Sequence, residues 1–191
     1  MKNILTAFLF CLAAGPAAGG EAKGPQPYTE PGYFSVTFPP GWVKKEEALG
    51  LSEEDKKVYG TEYFGPVADG LAVKIGVHYY APGNLVQATP EKFIKLHSKP
   101  AIGVNLDGKV YGKVKSDRVG NFYAKVFERK VFEYLPAEAL HPKKIHIYEK
   151  FAVLPVKNGF FVLDFYAPMD LAKANIKFFD AVLASFKPLV R

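Results

Sequence analysis

Few residues in this 191-residue chain have the types and spacing to do chemistry. His141 and His146 bracket Pro142-Lys143-Lys144-Ile145. Two imidazoles can share a metal ion, but five positions apart, with two lysines between them and no carboxylate or thiolate pattern beside them, they read as a basic loop entering a strand. His97 falls in the apolar stripe of a helical stretch, where a satisfied core histidine is the ordinary outcome, and His78 shares a strand face with Lys74 and Tyr80, as a pocket lining or a covered sheet position would. Gly103-Val104-Asn105-Leu106-Asp107-Gly108-Lys109-Val110 has the glycine spacing of a phosphate-binding loop, yet Val110 stands where the magnesium-binding hydroxyl belongs. The segment also leads into a strand, so no helix N-terminus follows to hold phosphate, and it reads as an Asp-Gly turn.

The five serines, Ser35, Ser52, Ser98, Ser116 and Ser185, sit in no nucleophile elbow, and no His-Glu-x-x-His run occurs. Asp164 and Glu149 are acids among apolar strand positions, either tuned carboxylates or members of ion pairs. Tyr123, Phe127, Phe132, Tyr134 and Tyr148 interleave with Lys125, Arg129, Lys130, Lys143 and Lys144. This set fits a half-buried strand pair, or else a surface for a protein, an anionic membrane or an envelope glycan. No residue is assigned as catalytic or metal-binding, no cofactor is expected, and any cofactor-binding residues are left open.

The elements that must position these side chains begin with a strand at 33–38, where Phe34, Val36 and Phe38 alternate with Tyr33, Ser35 and Thr37. Pro39-Pro40-Gly41 stops it and the only tryptophan, Trp42, folds back to seal the core. Ser52 with Asp55 predicts a capped short helix within 44–57, and 71–81 predicts a long strand. Thr89-Pro90-Glu91 starts a helix with Phe93, Ile94, Leu96 and His97 inside. Strands are expected at 110–119 and 122–135, the second with a bulge between Val126 and Phe127.

Asn158-Gly159 predicts a two-residue type I′ hairpin pairing Lys157 with Phe160. That register sets Ala152 and Leu154 beside Phe165 and Leu163, and Phe151 and Val153 beside Tyr166 and Asp164. Both faces of the hairpin are apolar, which calls for cover on each side. A final helix, capped by Asp170, turns Leu171, Ala174, Phe178, Phe179, Val182, Leu183 and Phe186 inward.

The first twenty residues have one charge, Lys2, an apolar run over 4–14 and small residues after it, and read as a signal peptide. The sole cysteine, Cys11, lies within this segment behind Leu9 and Phe10, a context unlike that of lipid attachment, so the processed chain is expected to hold no thiol. Residues 21–31 read as a flexible arm and 32–191 as one domain. The expected location is periplasmic or secreted, which argues against nucleic acid as a partner. The formal charge of +6 favours acidic partners by steering.

Three stretches resemble the PsbP-like superfamily: Phe34-Ser35-Val36-Thr37-Phe38-Pro39-Pro40-Gly41-Trp42, then Val162-Leu163-Asp164-Phe165-Tyr166-Ala167-Pro168, then 178–188. The resemblance spans roughly 31–189 and implies an α/β/α sandwich, an α+β fold with a central, mostly antiparallel sheet covered by helices on both faces. It also implies an accessory or binding role without a shared catalytic set. The expectation is therefore an exported, non-enzymatic accessory domain whose partner is an envelope protein. An anionic membrane surface or a small apolar or amphipathic ligand such as a lipid is the alternative.

Overall fold

The computed structural model describes residues 24–46, 52–101 and 106–190. In chain order its elements are β1 (Gln26–Glu30), β2 (Phe34–Phe38), β3 (Val43–Lys44), α1 (Glu53–Lys56), β4 (Val58–Ala68), β5 (Leu71–Tyr80), α2 (Pro90–Ser98), β6 (Val110–Tyr111), β7 (Lys115–Val119), β8 (Phe122–Leu135), β9 (Lys143–Val156), β10 (Gly159–Pro168), α3 (Met169–Ser185) and β11 (Lys187–Pro188). The leader expected over 1–20, with Cys11, and Gly103, Val104 and Asn105 of the glycine-spaced loop lie outside the described residues.

Two sheets form, and every pairing among the described residues is antiparallel. The smaller runs β1-β2-β11; the larger runs β3-β4-β5-β10-β9-β8-β6, with β7 also on β8. The fold is mixed α and β around this antiparallel sheet.

Alternation divides the large sheet into two faces. On one, Val73, Ile75, Val77 and Tyr79 of β5 and Phe161, Leu163, Phe165 and Ala167 of β10 meet α3 and the inward residues Phe34, Val36 and Phe38 of β2. The α3 side chains that reach them are Ala172, Asn175, Phe179 and Val182, the three-and-four spacing of one helix face. Each fully buried aromatic or aliphatic side chain here contributes about 1.5–3 kcal/mol over an exposed position. Trp42 closes the margin edge-on to Phe178 at 5.9 Å. Gly65 lies against its indole, since a Cβ there would stand 2.5 Å from Trp42 Cε2.

The other face holds Phe127, Phe151, Val153, Phe160 and Val162 beneath Phe93 of α2. One helix thus lies on each face, α3 on the first and α2 on the second. The nine residues of α2 extend ~13 Å, against ~29 Å across the seven strand positions, so the helix covers one part of this face only.

Several local expectations need correction. Gln26–Glu30, inside the stretch read as a flexible arm, is an edge strand paired with β2, so the folded unit starts before residue 32. Pro27 is tolerated at an edge, and the Tyr28 ring packs 6.0 Å from Phe34 and 6.1 Å from Phe38. The β9–β10 turn is Lys157-Asn158, because Gly159 pairs with Val156 and Phe160 with Pro155. Positive φ occurs only at Gly159 in this turn, at 107°, so it is not type I′. The register slips by two residues, pairing Ala152 with Leu163 and Phe151 with Asp164, and an even slip leaves every side chain on its expected face.

No bulge breaks β8 against β9. It lies across the other edge, where three residues, 112–114, oppose two, Phe127 and Glu128, splitting the strand expected at 110–119 into β6 and β7. Pro168 precedes α3 without a side-chain cap, and Asp170 sits in the first turn. Leu96 and Ala174, expected inside, are exposed.

Candidate functional site

Strand β4 pairs with β5 along one edge. On its other edge β3 reaches only Tyr63 and Phe64, and the Lys45 N–H extends the ladder to the Glu62 carbonyl at 2.8 Å. Alternate residues of an antiparallel strand point their N–H and C=O groups to the same side, so the backbone groups of Gly60 and Val58 point outward with Glu62. Among the described residues no strand lies beside them. Gly60 has φ 141°, and a Cβ there would stand 2.1 Å from the Val77 carbonyl oxygen, so glycine is required and the edge is bare of side chain.

This edge opens into a cleft of about 860 Å³. One wall is aromatic, with Tyr33 stacked on Tyr59 at 4.2 Å and on Tyr79 at 4.8 Å. Tyr59 donates its hydroxyl to Glu54 at 3.0 Å, and Tyr28 donates to Glu30. The hydrogen bond with Tyr33, then burial and Glu54, raise the Tyr59 pKa; burial, then Glu30, raise that of Tyr28. Both phenols stay protonated. Glu54 belongs to α1, whose capping box of Ser52 and Asp55 forms as expected. The Lys45–Glu62 pair at 2.9 Å also lines the cleft, as does His78, the β5 partner of Gly60. Burial lowers the His78 pKa to about 4; Glu62 pulls the other way and Lys45 reinforces burial. At neutral pH it is an uncharged imidazole.

One cross-strand row continues from Glu62 through Gly76 to Asp164, Phe151 and Phe127. Gly76 makes room for the acid: a Cβ there would stand 2.5 Å from Asp164 Oδ1. Burial, then the carboxylates of Glu62 and Glu149, push Asp164 up to about 7 against the opposing pull of Lys74 and Lys45. Among the described residues it belongs to no ion pair. Glu149 is the opposite case: it accepts two hydrogen bonds from Arg129, Nη2–Oε1 being 3.0 Å, in a largely buried pair.

His78 thus proves to be a pocket lining. His97 is packed but not satisfied: its ring stacks on Phe93 at 4.3 Å while Nδ1 is buried without a partner, and burial, then Arg129, lower its pKa to about 4. His141 is exposed in the loop before β9 and His146 is exposed on β9. No group of three or more His, Cys, Asp or Glu able to hold a metal gathers among the described residues. Asp107 and Gly108 form a turn ahead of β6.

The serines have structural contacts or none: Ser52 caps α1, Ser185 accepts the Thr37 N–H at 3.0 Å, Ser116 accepts from Lys125, and Ser98 Oγ is buried unpaired. The aromatic and basic set divides between faces. Phe127 and Arg129 turn towards α2, whereas Tyr148 bonds Glu128 on the far side and Lys144 lies 4.0 Å over Phe132. Sequence reasoning missed Tyr28, Tyr33, Lys45, Gly60 and Glu62. The one available signal was Gly60, an isolated glycine between strand residues.

No family model matches the chain, and no curated protein matches it in sequence. Solved structures are similar in shape. A protein from Bacteroides thetaiotaomicron VPI-5482 aligns with TM-score 0.48 and 12% identity over 85% of this chain and 48% of the other, so this chain spans about half its length. LpqN of Mycobacterium tuberculosis, described as involved in cell envelope biogenesis, aligns with TM-score 0.45 and 15% identity over 86% of this chain and 90% of LpqN. Cyanobacterial PsbP (CyanoP) from Synechocystis sp. PCC 6803 aligns with TM-score 0.50 and 15% identity over 92% of this chain and 98% of CyanoP. No helix among the described residues is long and apolar enough to cross a membrane. The backbone thus agrees with the terminal motifs, and the chain has a PsbP-like fold.

Proposed function

We propose that this chain is an exported, non-catalytic accessory domain that binds a protein of the cell envelope, taking an extended segment of that partner as an added strand along β4. The observation that carries the reading is the outward backbone of Val58 and Gly60, which continues the edge paired with β3 and has no strand beside it among the described residues. Unpaired strand edges recruit extended chains through main-chain hydrogen bonds, while flanking pockets select side chains. Tyr33, Tyr59 and Val58 offer apolar contact, and Lys44, Lys45, Glu30 and Glu46 offer charge of both signs. An open cleft with this lining suits a peptide better than an enclosed apolar ligand. Export is supported by the apolar run at 4–14.

Photo-crosslinking residues placed at Lys45 and Glu54 test the reading in cells, with Lys173 on α3 as control. Both cleft positions are expected to yield one adduct of the same mass, identifiable as an envelope protein. Absence of any adduct at the cleft in several growth states, or equal labelling at Lys173, would overturn it.

A further inference from the structure

The helix covering part of the second face has its own outward surface. Phe93, Ile94, His97 and Ser98 turn towards the sheet. At 100° per residue the opposite direction collects Lys92, Lys95 and Leu96, and Lys99 follows at the helix end. All three lysines are exposed, and Leu96 between them is 57% exposed. Glu91 is the only acid on the helix.

The loop that delivers the chain to α2 continues this character. Leu85 and Val86 are 69% and 52% exposed. They are held there by construction: Asn84 Oδ1 accepts the N–H groups of Val86 and Gln87 at 3.1 and 2.7 Å, its amide donates to the Ala81 carbonyl at 2.9 Å, and the Leu85 N–H donates to the Lys56 carbonyl at 3.0 Å. Lys57 reaches the same loop, its Nζ 3.8 Å from where a Gly83 Cβ would stand. The nearby acids of α1 are partly engaged, Glu54 by Tyr59 and Asp55 by Ser52.

We infer that the 82–88 loop and the outward side of α2 form a docking surface for an anionic phospholipid bilayer. Lysines set beside protruding apolar residues are what a helix lying in a headgroup layer needs: Leu85, Val86 and Leu96 enter the interface while the ammonium groups meet lipid phosphates. The α3 surface lacks the combination, since Lys173 and Lys177 there are accompanied by exposed alanines and by Asp170 and Asp180. The inference calls for a different kind of partner from the strand-edge reading, and of its apolar side chains only Val86 also lines that cleft.

The test uses the full chain and vesicles of phosphatidylcholine with and without phosphatidylglycerol. With Cys11 replaced by serine, an environment-sensitive dye is attached to cysteine placed at Leu85, Leu96 or, as control, Ala174. Blue-shifted emission at 85 and 96, dependent on phosphatidylglycerol and weakened by salt, is expected, with none at 174. The Lys92→Glu, Lys95→Glu, Lys99→Glu variant is expected to lower that component of vesicle binding at least tenfold, whereas Lys173→Glu with Lys177→Glu leaves it within about twofold. These side chains are exposed, and an unchanged melting curve confirms folding. A shift of equal size at 174, no dependence on the anionic lipid, or equal loss from the α3 variant would overturn the inference. In the last case the net charge alone would be responsible.

Discussion

The two faces of the large sheet are made by the same strands, residue by alternate residue, yet they bury different things. Beneath α3 and β2 the interior is nearly all hydrocarbon and aromatic ring, with Phe34, Phe161 and Phe186 in mutual contact and Phe165 against Phe179. Beneath α2 the apolar group is smaller, and beside it lie His78, His97, Asp164 and the Arg129–Glu149 pair. Incomplete cover is the cause. Where a long helix and a second sheet exclude water, a charged group has nowhere to be stabilised. Where a short helix stops part way, polar groups persist in a half-enclosed layer with shifted proton affinities.

The sharpest way to break the comparison is to remove one aromatic from each face. Phe161, buried against Phe34, Tyr79 and Phe186, is expected to cost about 3–5 kcal/mol on replacement by alanine, seen as an earlier urea midpoint for the whole molecule. Phe93→Ala is expected at or below the low end of that range, with α2 amides losing hydrogen-exchange protection before those of β10. Equal, fully global losses would show that the two faces do not differ in kind.

A change at Asp164 probes the polar side. Its folded pKa of about 7 lies above the usual 3.8, so the folded state holds the extra proton and stability falls as pH rises through that interval. His78 and His97 act in the opposite sense: their folded values of about 4 lie below 6.5, and their contribution is complete above 6.5 and lost as pH falls towards 4. Asp164→Asn should remove the first trend and leave the second. Stability from urea titrations would then rise between pH 4 and 6.5 more steeply than in the parent chain, and exceed it by ~1–2 kcal/mol at pH 8. An unchanged pH profile would show that Asp164 is not enclosed. The smallest effect belongs to the cleft rim, where Ser52→Ala removes an exposed cap and should lower stability by about 0.5–1 kcal/mol without moving the pH profile.

Much of this contrast is visible in the sequence, but unevenly. The alternation of β2 and β5, the Thr89 cap with Pro90 behind it, and the inner side of α3 at Phe179 and Val182 are local patterns, and each is found where it was read. Strand β1 escaped notice because one tyrosine between Gln26 and Glu30 makes no pattern without β2 beside it. Leu96 was assigned inside because a leucine beside Phe93 and His97 looks like core, although the sheet contacts of α2 favour Phe93 and Ile94. Of the site, His78 and Asp164 could be flagged as polar residues in apolar strands. Lys45, Glu62, Tyr28 and Tyr33 gave no sign, since they meet only when two sheets fold together.

The sequence by itself determined where β2, β5, β9, β10, α2 and α3 run and which side of those strands is buried, because those depend on periods of two and 3.6 residues set by near neighbours. Even the hairpin error respected this: a slip of two residues preserves every face. Only the tertiary structure decided which turn closes the β9–β10 hairpin, which strands pair with β4, and how far α2 reaches across the sheet. These are outcomes of competition between distant segments for the same backbone hydrogen bonds and the same apolar surface, and no window of neighbouring residues contains both competitors.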